Sequence, residues 1–377
     1  MATEVTHFSG AIVVDGTTEL SDLWVVDGVI RLERPAGAAT RHYDGVVLPG
    51  LVDVHCHIGL GATGAVPPEV AREQATINRD TGVLLIRDAG VPREPYSTRW
   101  MDQDPEMPRL IRCGQHIARQ KRYMFHLPRN VEPHQLPDVV EEEALAGDGW
   151  VKLIGDWIDR SLDVPDLELL WPDDILRAAA VRAHAVGARL TIHVFSREGA
   201  AQALRCGLDC IEHGTGMDAE LMSQAVRQGV AVVPTMMQRD NFALIADAGQ
   251  GKYPVWETQL RSLYETRYSQ ALELHQAGVT LLLGSDQSTG IPHGQVAREA
   301  GLMAKAGIPA DAVVQAASWG TRRFLGFPGI EDGASADLVV YGADPRQDIT
   351  QLRTPRSVIL RGRQVCCGQE PPGCAEP

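Results

Sequence analysis

Short apolar runs recur along this chain at about 51–57, 83–87, 109–114, 150–154, 189–193, 209–212, 230–234 and 280–284, with stretches of helical periodicity between them. Runs of this kind read as buried parallel strands, because the helix that connects each pair covers a face of the sheet. The helical stretches carry their own boundary signals. Pro172-Asp173-Asp174 opens the stretch to Val186 and Gly187 closes it; Ser196 opens the next, which Gly207 stops after Cys206. Eight strands alternating with helices over roughly 280 residues predict an α/β fold, a (β/α)8 barrel of the TIM type. A long, Pro-rich, charged stretch interrupts the rhythm between the third and fourth runs.

The two ends read differently. Residues 1–48 hold Ala11-Ile-Val-Val14, Leu23 to Leu32 and Gly45-Val-Val-Leu48, β-like runs with Asp-Gly turns, and residues 331–377 hold Ala336 to Gly342 and Ser357 to Val365. Neither end has strands enough for a stable sheet. The expectation is one small β-sandwich built from both termini, 1–48 with 331–377, beside a barrel over 49–330.

Polar residues close several barrel runs. His55 and His57 lie two positions apart in Pro-Gly-Leu-Val-Asp-Val-His-Cys-His, so both face one side of a strand while Cys56 faces the other. Lys152, His193, His213 and Asp286 each end a later run. In a parallel barrel the carboxyl ends of the strands form one rim, where catalytic groups gather. Neutral imidazoles converging there suit a borderline divalent metal such as zinc.

Together with Ile211-Glu-His-Gly-Thr215, Gly284-Ser-Asp286 and the late Gly333-Ala-Ser-Ala-Asp-Leu-Val-Val340, these motifs resemble the amidohydrolase superfamily over nearly all of residues 1–365. The resemblance implies a metal-dependent hydrolase of an amide, peptide-like or related C–N bond. It also implies that His55, His57 and Asp286 hold one metal, that His193 and His213 hold a second, and that Lys152 bridges both after carboxylation by CO2. Zinc is the expected metal and manganese the alternative. An ammonium has no lone pair to donate, whereas a carbamate offers two oxygens; burial beside cations favours the neutral amine that reacts with CO2. The unmodified alternative is a lysine that snorkels to solvent. A metal pair about 3.5–4 Å apart activates a bridging hydroxide and polarises the carbonyl. Asp286 is the expected general base and acid.

Two other readings compete. Related deaminases place a glutamate three residues after the strand-five histidine, where this chain has Ser196; the first glutamate, Glu198, belongs to the next helix. That and Lys152 disfavour a one-metal deaminase or a ring-opening enzyme, including the imidazolone-ring hydrolases of the same layout. A non-catalytic barrel used for binding or assembly would be expected to lack a ligand, and none is missing.

The motifs look most like the dipeptidase and prolidase-like branch. Its Gly-Gly-His segment is replaced by Cys113-Gly-Gln-His-Ile-Ala-Arg-Gln-Lys-Arg-Tyr-Met-Phe-His126, so either His116 or His126 takes that histidine's place in holding substrate. Arg119, with Lys121 and Arg122, would suit an anionic group, and Tyr123, Arg239 and His293 are further substrate-binding candidates. Met236 and Met237 would give a deformable apolar wall.

A net charge of −14 opposes binding to nucleic acid or anionic membranes. The chain has no apolar run near membrane-spanning length and no signal-peptide pattern at Met1-Ala-Thr-Glu, which predicts a cytoplasmic enzyme with a small-molecule substrate. A homo-oligomer is compatible with the resemblance. The seven cysteines are scattered, without metal spacing, and Cys366, Cys367 and Cys374 are expected in a poorly ordered tail.

Overall fold

The computed structural model describes residues 4–92, 95–124, 127–163 and 166–367. Its centre is a parallel barrel. Leu51–Cys56 pairs with Val83–Asp88, which pairs with Arg109–Arg112. Trp150–Ile154, Arg189–Val194, Cys210–His213 and Ala231–Val233 pair in that order in a second sheet. Apolar side chains on both faces of these strands are buried, as a sheet covered by helices requires.

The eighth run does not form a full strand. It closes the barrel through a few backbone bonds: Leu282 N–H donates to Val232 O (3.0 Å), Val54 N–H to Leu283 O (3.0 Å) and Asp286 N–H to His55 O (2.7 Å). This seam brings Asp286 back to the histidines of the first strand.

Helix boundaries follow the sequence signals. In Asp173–Ala185 the residues Leu176, Ala179, Ala180 and Ala183 are buried on one face, and two aspartates occupy the first turn. In Arg197–Cys206 the Ser196 side chain accepts the Gly199 N–H, and Gly207 ends the helix in the left-handed region at φ 80°.

Three additions decorate the barrel rim. The stretch after the third strand adds Ile117–Arg119 and Arg129–Val131, which extend the second sheet. After the fourth strand comes an antiparallel hairpin, Asp156–Asp159 with Asp166–Leu169. After the seventh strand come the helices Met236–Asp240, Phe242–Gly249, Pro254–Glu265 and Arg267–Gln276.

The termini combine, but in one seven-stranded half-barrel sheet rather than the expected two-sheet sandwich, because C-terminal Leu338–Tyr341 pairs directly, antiparallel, with N-terminal Arg41–Pro49 and joins both sets of strands in one ladder. Phe8, Ile12, Leu23, Ile30, Val47, Leu338 and Val340 form its core. Cys366 and Cys367 do not belong to a loose tail: they end the last strand, Arg363–Cys367, opposite Val358 and Ser357. Cys374 lies outside the described residues. Among the described residues no helix is long and apolar enough to cross a membrane.

Candidate metal centre and active site

The six rim residues come together at the carboxyl ends of the strands. Asp286 Oδ1 lies 3.0 Å from His55 Nε2 and 3.5 Å from His57 Nε2. His213 Nε2 lies 2.8 Å from His193 Nδ1, and the His55 and His213 ring centroids are 5.2 Å apart. Lys152 is buried beside them, in contact with the Glu212 carboxylate. The tightest donor group is His55, His213 and Asp286, with donor atoms all within 4.8 Å of one another. It takes members from both expected ligand sets.

Three non-glycine residues here adopt the left-handed backbone region: His213 (φ 65°), Thr235 (φ 45°) and Asp286 (φ 56°). Strain of this kind persists where surrounding structure over-determines the backbone, commonly at functional sites.

Hydrogen bonds set the imidazole tautomers. A carbonyl only accepts, so His57 Nδ1–H donates to Gly90 O (3.0 Å) and its Nε2 lone pair faces Asp286. The Thr235 hydroxyl donates to Pro234 O (2.8 Å), so it accepts from His213 Nδ1–H (2.7 Å), which leaves the His213 Nε2 lone pair facing His193 Nδ1 (2.8 Å). Burial pushes His55 down to about 3 and pushes His193 and His213 well below their ordinary value, so all three are neutral.

This donor set fits a divalent metal. A lone pair aimed at a carboxylate oxygen is repulsive unless a proton or cation lies between them, and His55 Nδ1 and His193 Nε2 are buried without a hydrogen-bond partner. Lys152 is lowered by burial to about 7.

Several supporting residues escaped sequence reasoning. Glu212 accepts from Thr191 Oγ1 (2.8 Å) and Arg87 Nη2 (3.4 Å), touches Lys152, and places Oε2 3.6 Å from His55 Nδ1. Arg87 is fully buried, donates to Val54 O (2.9 Å) and stacks on Trp150. Asp88 accepts from Ile58 N–H (3.0 Å) and Gly90 N–H (2.8 Å), fixing the loop whose carbonyl orients His57. The available signal was a charged side chain inside a strand that is otherwise apolar.

The substrate-binding candidates separate. His116 Nδ1–H donates to the same Gly90 carbonyl (3.1 Å), and its Nε2 is buried without a partner. The Tyr123 ring stands edge-on to His116 (5.6 Å), Trp157 (4.5 Å) and His193 (6.0 Å). His293 Nδ1 accepts from Asn78 Nδ2 (3.0 Å), and its Nε2 is buried without a partner. Arg119 is partly exposed at the end of Ile117–Arg119. His126 lies outside the described residues.

Arg239 does not take the substrate-facing place expected of it. It is buried behind the site, donating to His213 O (2.5 Å), Pro234 O (2.8 Å) and Gln270 Oε1 (2.5 Å), so it supports His213 rather than facing substrate. Arg122 is likewise engaged, with Asp159 (2.7 Å) and the Trp157 carbonyl. Met236 packs in the core rather than forming a rim wall.

A parallel barrel, a half-barrel made from both termini, and histidines meeting a carboxylate at the strand ends define a class of barrel hydrolases. The chain belongs to the amidohydrolase family, whose hydrolases act on carbon–nitrogen bonds: that family's model matches residues 171–365. An uncharacterised protein of Mycobacterium tuberculosis (strain ATCC 25618 / H37Rv) is 46% identical over 342 residues, 90% of this chain and 91% of that protein. The ochratoxinase of Aspergillus niger is 26% identical over 180 residues, 45% of this chain and 35% of that protein. Among solved structures, a Xaa-Pro dipeptidase with bound methionine in its active site has a TM-score of 0.78 at 22% identity, covering 96% of this chain and 99% of that one. A putative prolidase from Bifidobacterium longum has a TM-score of 0.78 at 24% identity, covering 96% and 94%.

Proposed function

We propose that this chain hydrolyses an amide or peptide-like C–N bond of a small molecule at a two-metal centre. His55, His57 and Asp286 would hold one divalent ion, and His193 and His213 a second. Lys152, carboxylated by CO2, would join them. Zinc suits this mixture of imidazole and carboxylate, and manganese is the alternative. The observation that carries the reading is the convergence of two imidazole Nε2 atoms on one Asp286 oxygen. Bound there, such ions supply Lewis-acid polarisation of the scissile carbonyl and lower the pKa of attacking water.

The chain's own residues supply orientation and proton transfer. Gly90 O and Thr235 Oγ1 fix the His57 and His213 rings so that their Nε2 lone pairs face Asp286 and His193. Asp286 takes the proton of the attacking water and passes it to the leaving nitrogen. Tyr123, its hydroxyl pushed up by burial and by Asp286, stays protonated and can donate to a substrate oxygen. His116 and His293 offer their unpartnered nitrogens to substrate polar groups. Glu212 receives the Lys152 ammonium while that lysine is unmodified.

A second reading, a one-metal hydrolase or deaminase, is favoured by the compact His55, His213 and Asp286 group. Against it, Ser196 caps a helix and bonds Asp156, while Glu198 pairs with Arg197 away from the site. Metal content per chain, measured on protein prepared without chelator and with bicarbonate, separates the two. About two equivalents, with hydrolysis of dipeptides or N-acyl amino acids, is the expected result. One equivalent would replace it with the one-metal reading, and none after supplementation would leave a non-catalytic barrel.

A further inference from the structure

Beside His193 lies an apolar cavity of about 250 Å³, lined by Trp157, Phe195, Ile245, Tyr253, Trp256 and Leu260 among others. Most of its walls come from the hairpin after the fourth strand and the helices after the seventh, additions to the barrel, and Phe195, the residue after the fifth strand, ties them to it. Two of its rings also form the flank of the metal centre. The Phe195 centroid is 4.4 Å from that of His193 and 4.8 Å from that of His213, and the Trp157 centroid is 5.5 Å from that of His193. Phe195 also stacks on Trp256 at 5.9 Å. An aromatic wall therefore runs from the candidate ligands into the cavity.

We infer that this cavity is a substrate subsite for an aromatic group attached close to the scissile bond. The inference rests on the hydrolase reading above and names its substrate class. The volume is below the roughly 300–1,000 Å³ typical of whole-ligand pockets, so the cavity suits one part of a substrate whose reacting bond lies outside it. Ring faces and edges on several sides favour an aromatic guest over an alkyl chain, because offset and edge-to-face pairs add to the gain from apolar burial. The polar groups at the rim are few. Glu257 is paired with Arg261 (2.9 Å), and Arg160 is exposed with its guanidinium 6.0 Å from the Tyr253 ring centroid. A larger cavity of about 710 Å³ runs past Thr98, Arg99 and Arg112. Those two arginines are engaged with Asp148 and Asp102, and neither Trp157 nor Phe195, the rings that link the smaller cavity to His193, lines the larger one.

The test uses the full metal-loaded chain and matched substrate pairs: phenylacetyl-glycine against acetyl-glycine, and glycyl-phenylalanine against glycyl-alanine. In at least one pair the aromatic member should show a kcat/KM at least tenfold higher. Ile245→Trp, which fills the cavity from a partly exposed position, should abolish that preference while the small member stays within threefold of its original rate. Calorimetry gives a readout that does not need turnover: 3-phenylpropionate should bind at least tenfold more tightly than propionate, and Ile245→Trp should remove the difference. Turnover of the small substrates without aromatic preference, or equal binding of the two acids, overturns the subsite. If no substrate in either pair is cleaved while 3-phenylpropionate still binds selectively, the hydrolase reading fails and the aromatic site stands.

Discussion

Asp53 and Ser285 meet across the barrel seam, 232 positions apart in sequence, where the Asp53 carboxylate accepts the Ser285 backbone N–H at 3.1 Å. It also accepts the Ser285 hydroxyl, the His55 N–H (3.0 Å) and Gln287 Nε2 (3.0 Å). One buried carboxylate thus fixes the backbone on both sides of the site, next to His55 and next to Asp286.

Removing that clamp should harm both folding and metal binding. Asp53→Ala leaves several buried donors without an acceptor, at about 1–3 kcal/mol for an unsatisfied group. The expected result is a loss of about 3 kcal/mol in urea unfolding and, by analogy with lost outer-shell support, about a 10–100-fold weaker metal affinity. Metal affinity equal to wild type would show that the clamp does not position the ligands.

Asp286→Asn keeps the shape of the side chain and removes its basicity. If Asp286 carries the proton, kcat should fall about 10²–10⁴-fold, the usual contribution of general acid–base catalysis. Turnover within tenfold of wild type, with metal content checked in the same preparation, would falsify that role.

Lys152→Ala should lower metal occupancy because it removes the proposed bridging group. Added short carboxylic acids should restore part of both occupancy and activity by filling the vacated space. Elemental analysis with and without acetate or propionate is the check, and full occupancy in the unsupplemented variant would exclude a bridging role.

For Arg239 the prediction separates support from substrate contact. The guanidinium is buried, its pKa pushed down by burial to about 10, and its removal strands the His213 and Pro234 carbonyls and Gln270. Arg239→Ala should destabilise the fold by about 3–5 kcal/mol, the range for breaking a buried charged network. In the folded fraction KM should stay within threefold; a large KM increase at wild-type stability would put the side chain in contact with substrate after all.

Glu299 predicts a pH effect on stability. It is buried, accepts the N–H groups of Met236 (2.5 Å) and Met237 (2.9 Å), and is pushed by burial from its ordinary 4.5 up to about 8. A folded-state pKa above the unfolded one means that the protonated group favours the fold. Its contribution is full below about pH 4.5 and is lost as pH rises through 8. Glu299→Gln should therefore flatten the decline in unfolding free energy between pH 5.5 and 8.5. Parallel wild-type and variant curves over that window would remove Glu299 as its source.

The parts of the fold that could be read from sequence were those set by local pattern. Continuous apolar runs, the Ser196 and Gly207 helix boundaries, and the His55-Cys56-His57 alternation follow from strand pleat and helix capping, which depend on a few neighbouring residues. The eighth run was read as a strand for the same reason, yet it makes only a few bonds at the seam, because its length was set by how the barrel closes. The tail cysteines were misplaced because Gly and Pro farther along suggested looseness, while pairing with Ser357–Leu360 carries the strand through Cys367.

Arg239 shows the limit most plainly. A cation after a barrel strand reads as a substrate contact, and only the packing of the helices after the seventh strand turns it inward onto the His213 carbonyl. Glu212 and Asp53 were equally silent in sequence, since their partners Lys152, Arg87 and Ser285 are distant along the chain. The amino-acid sequence by itself determined the barrel, the β-rich character of both termini and the identity of the residues at the rim, because hydrophobic periodicity and residue chemistry are local properties; that the termini form one half-barrel sheet rather than a sandwich was decided by their pairing. Tertiary structure alone decided which lone pairs face inward, which cations are spent on support, and where an aromatic cavity opens beside His193. Those outcomes depend on hydrogen bonds and packing between segments that meet only when the barrel closes.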